Sequence, residues 1–148
     1  MQNYIKSQTR LAFVQYIFQS EYSKENSSET IEDFQKYFYD LNIASIGEKA
    51  EFKLKFNKNY IKKLLDNYLE NFSKNKTIIQ LNNFNDLDRK FETWNGVLKS
   101  IIFALISELQ ITQDNKIKIL LNDYINISKS LISPKETKLM NAIIQKYL

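Results

Sequence analysis

Apolar residues recur at helical spacing along most of this chain. Over residues 4–22, Ile5, Ala12, Phe13, Tyr16 and Ile17 share one face, and Tyr4, Leu11, Phe18 and Tyr22 form a second stripe opposite it. A helix apolar on two sides is either sandwiched in a core or offers one stripe to a partner. The polar stretch EYSKENSSE then reads as a loop. A helix over 29–43 follows, with Ile31, Phe34, Tyr37, Phe38 and Leu41 facing inward. The pattern breaks at Gly47, where Ser45 and Glu48 have capping-box spacing. Residues 50–72 read as a lysine-rich helix with Leu54, Ile61, Leu64, Leu65, Tyr68 and Leu69 on its apolar side. Residues 76–83 fit a short helix better than a strand.

Asn85 or Asp86 is placed to cap a helix running toward residue 109. The second half of that helix is apolar nearly all round, which predicts a buried central element. QITQDN makes a turn. Residues 115–132 carry a seam of Ile117, Leu121, Tyr124, Ser128 and Leu131, and the small Ser128 suits a close helix crossing. Ser133 caps the last helix, with Glu136 three residues on completing a capping box. Pro134 falls at the first helical position, where its missing N–H costs nothing. Apolar pairs follow at each turn: Leu139/Met140, Ile143/Ile144 and Tyr147/Leu148. With no internal repeat, low-complexity segment or linker, residues 1–148 read as a single all-α domain, a compact bundle of about six to seven helices.

Composition narrows the chemistry. Two glycines and one proline in 148 residues leave too few turns for an all-β chain, and 43% apolar content excludes a disordered one. There is no cysteine and no histidine. That removes disulfides, thiolate sites, the commonest metal ligand and the commonest general base. Two isolated glycines cannot form a phosphate loop. Asp86 and Asp88 fall near a helix start, where negative charge favours the dipole, rather than reading as an acid pair. The expectation is a protein that is not an enzyme and uses no cofactor or metal. Residues 1–18 do not read as a secretory signal. The apolar run at 97–109 is short for a bilayer and carries Lys99 and Glu108. A soluble cytoplasmic protein with no membrane partner is expected.

The net charge of +4 is unevenly spread. Residues 21–51 hold eight acids, 53–76 hold seven lysines, and 115–148 hold six lysines. The imbalance serves general solubility or a polyanion-binding face. Lys118, Asn122, Asn126 and Lys129 make a stripe at helical spacing, which reads as a solvated face or as a contact to phosphates or a protein rim. Lys6 and Arg10, four apart, project from one side of the first helix. Two such cations would give affinity for phosphates without sequence specificity. Asn141 borders an apolar face and reads as a hydrogen-bonding spacer between helices, with a ligand role as the alternative.

The last two helices resemble the C-terminal part of the NusB family of bacterial transcription antitermination factors. That family shows a pattern like K-V-A-I-N-E-A-I-E-L-A-K, a short loop, then F-V-N-G-V-L. Here the corresponding stretches are KILLNDYINISK (118–129) and LMNAII (139–144). Lys118, Asn122, Asp123, Lys129 and Asn141 fall on matching positions with unchanged loop length. SIIFALISEL (100–109) resembles the family's A-I-L-R-L-A-L-Y-E-L, with Glu108 and Leu109 retained. RLAFVQYIFQSEYS (10–23) resembles R-x-x-A-V-Q-A-L-Y-Q, with Arg10, Val14, Gln15 and the aromatic Phe18 in place.

The resemblance implies an all-helical fold of two packed subdomains and a non-enzymatic role. It implies pairing with the ribosomal protein NusE, joint binding of boxA RNA, and action on the RNA polymerase antitermination complex at ribosomal RNA operons. On that reading Lys6, Arg10, Lys118 and Lys129 contact RNA, and Phe18, Tyr22, Leu98 and Lys99 form the partner surface. The alternative is a NusB-like interaction module with weak or lost RNA binding, or a homodimer that buries the Phe18 stripe. Three positions depart from the family pattern. MQNYIKSQTR stands where an arginine-rich run is usual, Phe103 where the central helix carries arginine, and Ala142 where glycine follows the last-helix asparagine.

Overall fold

The computed structural model describes residues 3–22, 56–81 and 94–145. The expected helix over 29–43, the Gly47 break with its Ser45/Glu48 box, Leu54, the Asn85/Asp86 cap and the Tyr147/Leu148 pair lie outside them. The chain divides into two compact units, Met1–Asp66 and Asn67–Leu148. Among the described residues the regular elements are helical, with no strand. No helix there is long and apolar enough to cross a membrane.

In the first unit, α1 spans Asn3–Ile17 and buries Ala12, Phe13, Tyr16 and Ile17, the face that the periodicity selects. The opposite stripe is not sandwiched. Tyr4 is 55% exposed, and Leu11 and Phe18 are half-buried. The α-helix also ends earlier than the pattern predicts, passing into a π-helical turn over Phe18–Tyr22. Each π turn holds more residues than an α turn, so the phase of the second stripe changes after Ile17.

Helix α2 spans Lys58–Glu70 rather than starting near residue 50; Phe56 and Asn57 are non-helical. The reason is local. Asn57 Oδ1 accepts the Tyr60 N–H at 2.9 Å, an N-cap bond that fixes the first turn. Ile61, Leu64, Leu65 and Tyr68 are fully buried, but Leu69 is 51% exposed, against expectation. Asn71 separates α2 from α3 (Phe72–Leu81), yet backbone bonds from Asn71 to Asn67 (3.1 Å) and from Asn75 to Asn71 (2.8 Å) carry the helical path through. Residues 67, 71 and 75 therefore share a face. Leu69 and Asn71 lie on opposite flanks of the apolar stripe. Docking the asparagine flank leaves the leucine flank to solvent.

In the second unit, α4 (Gly96–Leu109) is the central element. Leu98 and every residue from Ser100 to Glu108 are buried. It starts at Gly96, not near 86, because Asn95 Oδ1 accepts the Val97 N–H at 2.7 Å. Helices α3, α5 (Ile117–Leu131) and α6 (Pro134–Gln145) pack against it, and α5 packs on α6. A short 3₁₀ turn, Asp114–Lys116, leads into α5. On α5, Leu121, Tyr124 and Ser128 are buried as the seam predicts, while Ile117 and Leu131 at its ends are half-buried. Helix α6 opens at Pro134, and Ser133 Oγ accepts the Glu136 N–H at 3.2 Å. It buries Met140, Ile143 and Ile144.

Phe103 is stacked on Phe72, with centroids 5.4 Å apart, and Tyr68 meets both rings edge-on. Where the family pattern has arginine, this chain has built an aromatic cluster. Such pairs contribute about 0.5–1.5 kcal/mol beyond the area that they bury.

Glu108 is fully buried, and the Tyr124 hydroxyl donates to its Oε1 at 2.9 Å. Tyr124→Phe leaves that oxygen without this donor. It should lower stability by about 1–3 kcal/mol, the range for a buried acceptor that loses a hydrogen bond. A urea titration followed by circular dichroism checks this; an unchanged midpoint would show that the bond contributes nothing net.

Candidate nucleic-acid interface

The first-unit cations are organised by a short polar chain. Thr9 is fully buried and donates its hydroxyl to the Ile5 carbonyl at 2.7 Å. The same oxygen accepts the Asn57 N–H at 3.0 Å, joining α1 to the residue that caps α2. With Asn57 so held, Tyr60 is fixed in the first turn of α2. Lys6, three residues before Thr9 and so on the same side of α1, places its Nζ 5.5 Å from the Tyr60 ring centroid. That is within cation–π range, an interaction of about 0.5–1 kcal/mol near a surface. Lys58, Lys62 and Lys63 are exposed on α2, with Lys63, three residues on, on the same side as Tyr60. Lys58 stands in the first helical turn, where the macrodipole disfavours a cation.

The second-unit stripe lies on α5. Lys118, Asn122, Asn126 and Lys129 are all exposed. The two lysines are separated by three helical turns, roughly 16 Å along the axis. Tyr124, anchored on Glu108, points the opposite side of α5 into the core, which aims the stripe at solvent. Ile119, next to Lys118, is 62% exposed. The stripe thus pairs two cations and two amides with an apolar neighbour.

The structure separates the residues that the sequence groups together. Lys118 and Lys129 are exposed on α5, and Lys6 is half-buried on Tyr60. Arg10, expected to meet phosphate, is only 5% exposed and engaged within the fold. A buried guanidinium needs partners to offset its desolvation, and those hold it inside. Leu98, expected on the partner surface, is fully buried. Exposing such a side chain costs about 1.5–3 kcal/mol. Its neighbour Lys99 is half-buried, as is Phe18. The Tyr22 side chain lies outside the described residues. Sequence reading missed Tyr60, whose proximity to Lys6 spans 54 positions and has no local signal. It counted Lys58, Lys62 and Lys63 as a charge imbalance without placing them. Among the described residues no cluster of acids could hold a metal ion.

The NusB family model matches residues 7–148.

The chain belongs to the NusB family.

Among curated proteins, the transcription antitermination protein NusB of Rickettsia felis is 25% identical over 141 residues, covering 95% of this chain and 89% of the relative. That of Rickettsia typhi is 26% identical over the same span and shares. No solved structure matches. Membership sets the chain among transcription antitermination factors, which are not enzymes. Of the positions that match the NusB pattern, Lys118, Asn122 and Lys129 are exposed, whereas Asp123 and Asn141 are half-buried. Glu108 is buried under Tyr124. The shared pattern therefore mixes residues that hold the bundle together with residues that face solvent.

Thr9→Val keeps the side-chain shape and removes the hydroxyl between α1 and Asn57. It should cost about 1–3 kcal/mol, because a partly buried N–H loses its acceptor. Chemical denaturation reads this directly. Equal stability of the two proteins would mean that the α1–α2 joint does not depend on this bond.

Proposed function

We propose that this NusB-family chain is a transcription antitermination factor that binds boxA-type RNA together with ribosomal protein NusE. In that role it would act with the RNA polymerase antitermination complex and support processive transcription of ribosomal RNA operons. The observation that carries the proposal is the exposed Lys118–Asn122–Asn126–Lys129 stripe, on a chain whose match to the family runs from residue 7 to residue 148. The lysines suit phosphates, and the amides suit sugar or base edges. Lys6 adds a further phosphate contact from the first unit. Phe18, Tyr22 and Lys99 are assigned to the protein-partner surface.

A second reading is a NusB-like interaction module with weak RNA binding. The burial of Arg10 favours it, because one of the two N-terminal cations is then withheld from RNA. The two readings separate in one titration of boxA RNA against scrambled RNA, with and without NusE, across salt concentrations. The first expects a preference for boxA that NusE strengthens. NusE binding with no preference between RNAs would select the second, and failure to bind either partner would remove both.

Within the first reading, Lys118→Ala combined with Lys129→Ala should reduce the slope of log affinity against log salt by about 1.4. That corresponds to two phosphate contacts on a single strand. Affinity should fall for all RNA sequences alike, since phosphate contacts carry no sequence information. An unchanged slope would take both lysines out of the interface.

A further inference from the structure

We infer that Lys118, Ile119 and Asn122 form a subsite for one unpaired adenine of single-stranded RNA. The isoleucine lies against the face of the base, the asparagine carboxamide reads its edge, and the lysine holds the adjoining phosphate. The inference rests on the RNA-binding reading and adds a base preference to it.

Three observations lead there. First, the three residues meet on one turn of α5. Asn122 is four positions after Lys118 and three after Ile119, so both are its neighbours on the helix surface. Side chains on a helix lean toward its N-terminus, which brings the Asn122 carboxamide over the turn that carries the other two. Second, the fold leaves these groups to solvent. Lys118 and Asn122 are exposed, and Ile119 is 62% exposed. Asn67, Asn75 and Asn95 use their carboxamides within the fold. Among the described residues no hydrogen bond engages the Asn122 carboxamide and no acid pairs with Lys118. The one acid of α5, Asp123, is half-buried and engaged within the fold. Third, the surroundings suit a nucleotide. Leu69, another exposed apolar side chain, has the exposed Asp66 and Glu70 beside it on α2, which repel phosphate. Ile119 has Lys118 beside it and Lys129 further along the same face, and both attract phosphate. A base fits an apolar side chain next to a free amide. Its face covers Ile119 from water, and an asparagine amide bonds N6 and N7 of adenine together. The strand must be single, because in paired RNA the deep, narrow major groove keeps side chains from that edge.

The test uses the full chain, with and without NusE, and uridine strands of about 12 nucleotides with one adenine or one purine at the centre. Purine keeps the ring and N7 but lacks the N6 amino group. The unmodified protein should therefore bind the adenine strand about tenfold more tightly than the purine strand. Asn122→Ala should abolish that difference and leave the salt slope unchanged. Alanine is the better helix former, so this exposed position keeps its fold. Ile119→Ala should weaken both strands alike, by about threefold, through lost apolar contact. Lys118→Ala should lower the slope by about 0.7 on both strands, one phosphate on a single strand. A residue that merely supports the fold would not link one amide to one amino group of the base. The subsite is overturned if the unmodified protein does not distinguish adenine from purine, or if Asn122→Ala still does. If Lys118→Ala lowers the salt slope in that case, the RNA-binding reading survives without the subsite. Failure of the unmodified chain to bind either strand, with or without NusE, removes both.

Discussion

A helix buried to its C-terminal end must find partners for its last carbonyls, and α4 is buried through Glu108. Much of the second unit is arranged around that requirement. Thr112 donates its hydroxyl to the Glu108 carbonyl at 2.6 Å, and the Ile111 N–H reaches the same oxygen at 3.1 Å. Asn67 Nδ2 reaches the Ser107 carbonyl at 2.8 Å and also meets Gln110 Oε1 at 3.1 Å. Gln110 in turn donates to Asn75 Oδ1 at 2.7 Å, and Asn75 is fully buried. The Glu108 side chain receives Tyr124. One helix end thereby sets the rotation of α2 and α3 through an asparagine row, and that of α5 through a tyrosine.

The candidate interface follows from those rotations. Tyr124 faces inward, so residues 118, 122, 126 and 129 face outward. The asparagine row faces Gln110, so Leu69 is turned to solvent. In the first unit a smaller device does similar work: Thr9 and Asn57 join the middle of α1 to the start of α2, and Lys6 meets Tyr60. In both units, buried polar bonds decide which side chains an RNA or protein could meet. A polar group buried without a partner costs more than one apolar contact provides, so these bonds select the packing rather than merely accompany it.

Much of this was legible in the residues. The inward face of α1, the buried α4, the seam of α5 and the Ser133–Pro134 start of α6 all follow from periodicity and capping. The family was legible too, because Asn122, Lys129 and Asn141 keep fixed spacing across two helices. What was not legible has a common cause. The capping roles of Asn57 and Asn95 were invisible because both sit within stretches that read as continuous helix. Arg10 and Leu98 were placed on the surface from their own helices, although their burial is set by what packs over them. The asparagines at 67, 71 and 75 look like solvated spacers until Ser107 and Gln110 lie opposite.

The sequence by itself determined the helical class, most of the helix faces and the family, because those depend on residues a few positions apart. Tertiary structure alone decided which cations stay outside and which aromatic ring meets one of them. Lys6 and Tyr60 are 54 positions apart, and Thr9 and Asn57 are 48 apart. Across such distances no local pattern specifies a contact. It exists only once two helices are packed and their buried polar groups have found one another.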